Sequence, residues 1–202
     1  MFYAPRTGDH GLRFDPFKAI VAPRPIGWIS SLDAQGRVNL APYSFFNAIS
    51  TRPHIIMFAS AGRKHSVSNI EATGEFVCSL ATWEFRDTMN ATSAGLPAGE
   101  SEFEAAGLAE APSRLVKPPR VAGAAAALEC RMLKSDAIDG LDGESSGAIV
   151  VYGEVVGIYV DDRYIVDGRF DMALARTIAR CGYMDYAVVE TVFQLGRASA
   201  GD

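Results

Sequence analysis

The sequence predicts a mainly β fold with short helices, arranged as an antiparallel barrel. Apolar runs of strand length recur along the chain, whereas helical periodicity is confined to short stretches. The predicted strands and helices do not alternate regularly. The longest β signal, residues 148–160, is rich in Val, Ile and Tyr and contains Gly153 and Gly157. Glycines so placed are typical of long strands that bend at barrel corners. No repeat or linker divides the chain, so we expect one domain over residues 1–202, with its core at about 14–195.

Composition excludes several classes of protein. The 202 residues are 49% hydrophobic and 21% charged, an ordinary globular profile. The net charge of −5 argues against nonspecific nucleic-acid binding, which requires a basic surface. No apolar run approaches the roughly 20 residues of a membrane-spanning helix. The three cysteines are widely spaced and residues 1–11 lack the apolar core of a signal peptide, so we expect a cytoplasmic protein.

A predicted hairpin opens the stretch 24–70, which carries the clearest functional signal. Its first strand should place Ile26, Trp28 and Ser30 on one face and Gly27, Ile29 and Ser31 on the other. Residues 33–36, Asp-Ala-Gln-Gly, predict a tight turn, and residues 37–41 return as the second strand. Pro42 has no amide hydrogen to donate, so the ladder should stop there or lie at a sheet edge.

The residues that follow Pro42 combine hydroxyl, amide and aromatic groups. They are Tyr43, Ser44, Phe45, Phe46 and Asn47. This mixture suits a flat heteroaromatic ligand that needs a few hydrogen bonds within an apolar slot. We therefore expect a ligand slot near the end of the second strand.

A basic loop, Gly62-Arg63-Lys64-His65-Ser66, lies between a predicted buried strand at 55–58 and a predicted helix at 67–72 that ends near Gly74. The first amides of a helix have no intrahelical partner, and the helix dipole is positive there, so this arrangement favours a phosphate. Arg63 could add a bidentate contact and Lys64 a point charge. Ser66 could cap the helix or donate to a phosphate oxygen. The alternative is an ordinary solvated basic turn with Ser66 as a plain helix cap.

The other predicted elements are a short helix or turn at 14–21, a half-buried strand at 75–80, a helix at 83–92, a strand at 126–133, a polar loop at 134–147, a helix at 168–180 and a last strand at 186–195. Residues 93–123 are rich in Gly, Pro, Ser, Ala and Glu, which predicts an excursion over the surface. It is either a lid or dimer contact, or a flexible connector. Its apolar residues Phe103 and Leu108 would need a surface to cover.

Several catalytic motifs are missing or fail on their context. The sequence contains no GxGxxG, GxxxxGK[ST] or HExxH, and no cluster with metal-ligand spacing. Residues 143–147 match GxSxG, but acidic loop residues precede the match and the three histidines, His10, His54 and His65, all come earlier in the chain. A hydrolase elbow requires a strand before the serine and a histidine after it. We therefore expect neither a hydrolase nor a metal site.

A family resemblance covers roughly residues 14–187. It is carried, in order, by RPIGWISSLDAQGRVNLAPYSFFNAIS, GRKHSVSNI, SEFEAAGL, ALECRML, IVVYGEVVGIYVDDRYIVDGRFD and RCGYMDY. The sequence resembles the flavin reductase-like family of FMN-binding split barrels, which includes flavoredoxin-like proteins and reductase components of two-component flavin monooxygenases. The resemblance implies a Greek-key β-barrel that dimerises, with FMN near the subunit interface.

The resemblance also implies roles for particular residues. The resemblance implies that the isoalloxazine ring lies along Ser30, Ser31, Pro42, Tyr43 and Ser44, with Asn47 close by. At the 5′-phosphate and ribityl chain it implies Arg63, Lys64, Ser66 and Asn69. Members of the family often carry an acid at the position of His65, so the loop is more cationic here.

The implied chemistry is hydride transfer from NADH or NADPH to the flavin, and it requires no general acid or base from the protein. We therefore name no catalytic residue. The favoured hypothesis is a homodimeric NAD(P)H-dependent FMN reductase. The alternatives are an FMN-binding electron carrier, or a flavin-delivery partner of a monooxygenase, with little nicotinamide activity. A split barrel that binds haem is disfavoured because no histidine is placed as an axial ligand near the slot.

Overall fold

The computed structural model describes residues 1–97 and 100–196. The helices are α1 (Phe17–Ile20), α2 (His65–Thr73), α3 (Arg86–Ala91) and α4 (Glu102–Ala105), with 3₁₀ turns at Pro5–Thr7, Trp83–Phe85 and Asp162–Tyr164. The strands are β1 (Arg24–Pro25), β2 (Gly27–Leu32), β3 (Val38–Tyr43), β4 (Phe46–Thr51), β5 (His54–Ala61), β6 (Glu75–Leu80), β7 (Glu110–Ala111), β8 (Arg120–Val121), β9 (Ala126–Asp139), β10 (Ser145–Val160), β11 (Ile165–Val166), β12 (Arg169–Phe170), β13 (Ile178–Arg180) and β14 (Tyr186–Val188).

A seven-stranded antiparallel sheet dominates the molecule, in the order β3-β2-β6-β9-β10-β5-β4. The predicted mainly β, antiparallel class is confirmed. β1, β13 and β14 form a separate small sheet. β3 is an edge strand, and Pro42 pairs with Trp28 there, in agreement with the expected edge position.

Two apolar clusters cover the two faces of β2, as the predicted alternation requires. Trp28 lies in the cluster that includes Phe103 and Ile178, whereas Ile29 lies in the cluster that includes Phe58. Trp28 and Ile29 are fully buried. Burying each such side chain contributes about 1.5–3 kcal/mol, so β2 is anchored from both sides.

The long hairpin β9–β10 contains the bent strand that its glycines predict. The register shifts between Tyr152 and Gly153 and again near Gly157, which confirms a long, irregular strand. The polar loop predicted at 134–147 is wrong, because β9 continues to Asp139 and β10 begins at Ser145. Polar side chains do not stop a strand whose outer part is exposed to solvent.

The helix predicted at 168–180 is also wrong. The Asp171 carboxylate accepts the amides of Ala173 and Leu174, and this local bonding makes a turn in place of a helix. Arg176 has a φ of 48°, after which the chain enters β13. Two other predicted elements are shorter than expected: α3 occupies only part of 83–92, and β14 only the start of 186–195.

Part of the excursion at 93–123 packs on its own chain, and residues 98 and 99 lie outside the described part. Phe103 is 1% exposed within the core beside β2, and Leu108 packs against the same cluster. The surface that these two residues cover is therefore the core of their own chain. The Glu102 carboxylate accepts the Leu40 amide at 2.9 Å and so fastens α4 to β3.

Candidate functional site

The N-terminus of α2 leaves its first amides free of side-chain caps. Gly62 has a φ of 82°, and Lys64 is the extended residue at the cap position, with no side-chain cap bond. The helix then runs over nine residues and ends at Gly74, whose φ is 74°. Ser66 lies inside the first turn, so the expectation that it caps the helix is wrong. Free amides and the positive end of the dipole make this end suitable for an anion.

A cavity of about 510 Å³ opens at this helix end, and we call it the α2 cavity. Its walls are formed by Asn39, residues 41–43, residues 63–66, residues 92–96 and Glu102. It therefore brings Pro42 and Tyr43 together with Arg63, Lys64 and Ser66, five of the residues predicted for the site. The end of β3 and the start of α2 meet around one space.

Buried polar groups lie in the wall of the α2 cavity. Asn39 donates from Nδ2 to Ser66 Oγ at 3.0 Å, and both residues are buried. Tyr43 is 8% exposed, and its hydroxyl has no hydrogen-bond partner among the described residues. Burial raises the pKa of Tyr43, while the hydroxyls of Ser66 and Ser60 act in the opposite direction. A buried hydroxyl of this kind is a group for which a ligand in the cavity would supply a partner.

The two cations of the basic loop differ in their partners. Arg63 forms an ion pair with Glu71, whose carboxylate also accepts the Ser135 hydroxyl at 2.8 Å. Lys64 has no ion-pair partner within the described part of the chain and is exposed. Lys64 is therefore the cation whose charge is available to a bound anion.

Four other predicted site residues do not line the α2 cavity. Ser30 is fully buried and donates to the Pro119 carbonyl, and Ser31 accepts from Asn69 Nδ2 at 3.3 Å. Both serines lie on β2, an inner strand whose two faces are covered by core residues. Asn47 is exposed on β4, where its side-chain carbonyl accepts the Ala48 amide.

Ser44, the remaining predicted residue, lines a second cavity of about 400 Å³ that we call the arginine cavity. This cavity shares Pro42 and Ser93 with the α2 cavity, so the two spaces adjoin. Its other walls include Arg24, Arg180 and the aromatic residues Phe45, Tyr183 and Tyr186.

Sequence reasoning missed several residues of the α2 cavity. Asn39 shares a strand face with Ala41 and Tyr43, so the period of two in a strand could have identified it. Residues 92–96 and Glu102 gave no comparable signal, because they reach the cavity through tertiary packing. Among the described residues, no group of His, Cys, Asp and Glu could hold a metal ion. Within that same part of the chain, no helix combines the length and apolar character needed to cross a membrane.

The fold and the α2 cavity define an antiparallel β-barrel protein in which a helix end suited to an anion lies beside a partly apolar slot. Residues 21–171 match the flavin reductase like domain family. The chain belongs to this family.

Relatives and solved structures agree with this assignment. An uncharacterized protein of Deinococcus radiodurans is 34% identical over 92% of this chain and 84% of its own length. Nitrilotriacetate monooxygenase component B from Bacillus cereus superposes with a TM-score of 0.85 at 28% identity, covering 96% of this chain and 98% of its own. The 2-nitrobenzoate 2-nitroreductase NbaA of Pseudomonas fluorescens gives a TM-score of 0.84 at 27% identity, with all of both chains covered. A putative flavin reductase from Shewanella frigidimarina, at 24% identity and a TM-score of 0.81 over 90% of each chain, is described as a split barrel and supports the fold.

Proposed function

We propose that this protein is an FMN-binding oxidoreductase that uses NADH or NADPH to reduce its flavin. The observation that carries the proposal is the α2 cavity, because it joins a helix N-terminus and Lys64, which has no ion-pair partner among the described residues, to a proline and a buried tyrosine. Phosphate and planar ring are the two chemically distinct ends of FMN. Each end of the molecule would thus meet groups of the matching kind.

The residues around the cavity fit FMN in kind. The α2 amides and Lys64 would hold the 5′-phosphate, with Arg63 adding positive charge from its pair with Glu71. Tyr43 carries a buried hydroxyl without a partner in the described structure, so it offers a hydrogen bond to the polar edge of the ring. Pro42 would give the ring an apolar contact. Ser44, in the adjoining cavity, remains a candidate for the ring's far side.

Bound FMN would supply the capacity to accept a hydride and pass on electrons. The chain's own task is to bind, orient and exclude water. Asn39 fixes the Ser66 hydroxyl, and Glu102 fixes β3 by accepting the Leu40 amide, so the wall of the cavity is rigid before the ligand binds. Such preorganisation lowers the cost of bringing two reactants into contact.

The destination of the electrons is part of the proposal. The similarity to a protein named as a monooxygenase component B favours a reductase that serves a partner monooxygenase. We further propose that the protein works as a homodimer in the cytoplasm. Ser30, Ser31, Asn47 and Asn69 would then support the site from the second layer or lie near the subunit boundary, since none of them lines the α2 cavity.

The deciding experiment is an absorption spectrum of the purified protein followed by anaerobic addition of NADH or NADPH. We expect flavin absorption, FMN as the chromophore released on denaturation, and bleaching by one of the nucleotides. Flavin that binds but is not bleached by either nucleotide would leave the electron-carrier alternative in place of the reductase. A haem spectrum, or no flavin binding after reconstitution, would contradict the proposal.

A further inference from the structure

Two arginines of the arginine cavity stand opposite each other across a strand pair. β1 and β13 are antiparallel, and their register places Arg24 directly against Arg180. Like charges at opposed positions destabilise a pair of strands. An anion bound between the two side chains would turn this repulsion into attraction.

Arg24 is a buried charge without a counter-ion in the part of the chain that the structure describes. It is 7% exposed, and its guanidinium donates to the backbone carbonyls of Lys18, Val21 and Cys181. Its Nε has no partner, and no carboxylate within the described residues forms an ion pair with it. Carbonyl dipoles hold the guanidinium in place but carry no net charge. Buried charges are normally paired, so a bound anion would stabilise this guanidinium.

The rest of the arginine cavity combines more positive charge with flat apolar surface. Lys18 lines it as a third cation, and no described residue in its wall is acidic. The Arg180 guanidinium lies 4.4 Å from the centre of the Tyr186 ring, so that ring fixes its position. Phe45 and Tyr183 add two further aromatic faces.

We propose that the arginine cavity binds a small aromatic carboxylate, with the carboxylate between Arg24 and Arg180 and the ring against the aromatic wall. Lys18, which is exposed, adds positive charge to the wall without an ion pair among the described residues. The inference rests on the proposed function, because the arginine cavity adjoins the cavity assigned to FMN through Pro42 and Ser93. The aromatic carboxylate would then be a second ligand, bound beside FMN. Phosphate groups of a nicotinamide nucleotide share the oxyanion chemistry, and the experiment separates the two sources.

The test compares benzoate with benzamide, which has nearly the same shape and no charge, by calorimetric titration of the FMN-loaded protein. We expect benzoate to bind more tightly by about 10- to 150-fold, the range for hydrogen bonds to charged groups. Arg180→Gln should remove most of this preference. Arg169→Gln is the matched control, because Arg169 is exposed on β12 and lines neither cavity. The control should keep the wild-type preference.

A second readout guards against a variant that merely misfolds. Because Arg180→Gln removes like-charge repulsion at the register pair with Arg24, it should melt at the same temperature as the ligand-free wild type or higher. If Arg180→Gln melts far lower, Lys18→Gln replaces it in the titration, since Lys18 is exposed. This variant loses one screened charge, so the preference for benzoate over benzamide should fall by only about two- to fivefold.

The remaining outcomes each overturn the proposal. Equal binding of benzoate and benzamide would do so, as would a benzoate preference that Arg180→Gln and Lys18→Gln both leave intact. NADH or NADPH binding that weakens with Arg180→Gln, while benzoate shows no preference over benzamide, would assign the arginines to the nucleotide phosphates. A separate FMN titration of the same preparations distinguishes failure of the proposed function from failure of the carboxylate site. Absence of FMN binding contradicts the proposed function, whereas the charge preference of the arginine cavity is judged from benzoate and benzamide alone.

Discussion

Lys64 allows the phosphate half of the site to be tested at a single residue. It is the loop cation without an ion-pair partner among the described residues, and it occupies the cap position of α2. Replacing it by Ala should weaken FMN by roughly 1.5–3 kcal/mol, about 10- to 150-fold, because a charge-assisted contact to phosphate is lost. Riboflavin has the same ring without the phosphate, so its affinity should barely change. Fluorescence titration with both flavins measures the difference.

Lys117→Ala serves as the control for this substitution, since Lys117 is exposed and lines neither the α2 cavity nor the arginine cavity. It should bind both flavins as the wild type does. Equal losses for FMN and riboflavin in Lys64→Ala would show that Lys64 contacts the ring or supports the fold. An unchanged FMN affinity would place the phosphate elsewhere.

Thr92 connects the core to the wall of the α2 cavity. Its hydroxyl accepts the Trp28 indole N–H at 2.9 Å and donates to the Met89 carbonyl at 2.8 Å, and both Trp28 and Thr92 are buried. Thr92→Val keeps the shape but leaves the indole N–H without an acceptor, so it should cost about 1–3 kcal/mol of unfolding free energy. Thr92→Ser keeps the hydroxyl and should lose less. Urea unfolding monitored by tryptophan fluorescence compares them, and equal stability of Val and Ser variants would contradict the assigned bond.

The two buried thiols should make the free energy of unfolding fall with pH in alkaline solution. Burial raises the pKa of Cys78 to about 12 and that of Cys130 well above its usual value. Below pH 9 both folded and unfolded thiols are protonated, but from pH 9 to 12 only the unfolded thiols lose protons, so stability falls as pH rises. The expected slope is about 1.4 kcal/mol per pH unit and thiol. Urea unfolding from pH 8 to 10.5 should show a shallower fall in Cys78→Ala than in the wild type, and parallel curves would refute this.

At the level of elements, the bend of β10 depends on one close approach. A Cβ added at Gly153 would overlap the Phe76 ring, whereas one at Gly157 would meet Leu115 Cδ1 at 3.3 Å, the end of an exposed side chain that can move. Gly153→Ala should therefore cost about 1–3 kcal/mol by overpacking, and Gly157→Ala less than 1 kcal/mol. Thermal unfolding of the two variants side by side measures the difference. A larger loss at Gly157 would mean that the bend itself, and not the Phe76 contact, requires glycine.

Elements with strict alternation could be predicted from sequence, and elements set by local side-chain bonding could not. The alternation in β2 predicted which residues share each face, and β6 has the predicted bounds. The expectation that β6 is half-buried is wrong, because Phe76 and Cys78 on one face and Val77 and Ser79 on the other are all buried. The segment 168–180 has helix-like apolar spacing, yet Asp171 bonds the amides two and three residues on and the chain pairs with β1 instead. Here local and tertiary bonding overrode the periodicity.

At the level of the whole molecule, the candidate site was predictable only where a short stretch of sequence carried the signal. The basic loop and the end of β3 at Pro42 and Tyr43 each carried a local signal, and the structure brings both to one cavity. Ser30 was expected along the flavin ring from the family resemblance, but its strand lies inside the sheet and its hydroxyl donates to the Pro119 carbonyl. The pairing of Arg24 with Arg180 joins residues far apart in the chain, and only the register of β1 and β13 shows it.

Exposed apolar side chains on the main sheet predict that the protein assembles into a dimer. β4 is an open edge of the main sheet and carries Ile49 at 51% exposure, while Ile158 on β10 is 59% exposed. An unprotected edge with apolar side chains favours association with another chain. We therefore expect light scattering at micromolar concentration to give twice the chain mass of 21.6 kDa. The dimer should persist when FMN is removed, because these surfaces lie outside the α2 cavity. A mass of one chain throughout a dilution series from about 100 to 1 μM, a range over which any dimer with a Kd below about 1 μM would be populated, would contradict the homodimer.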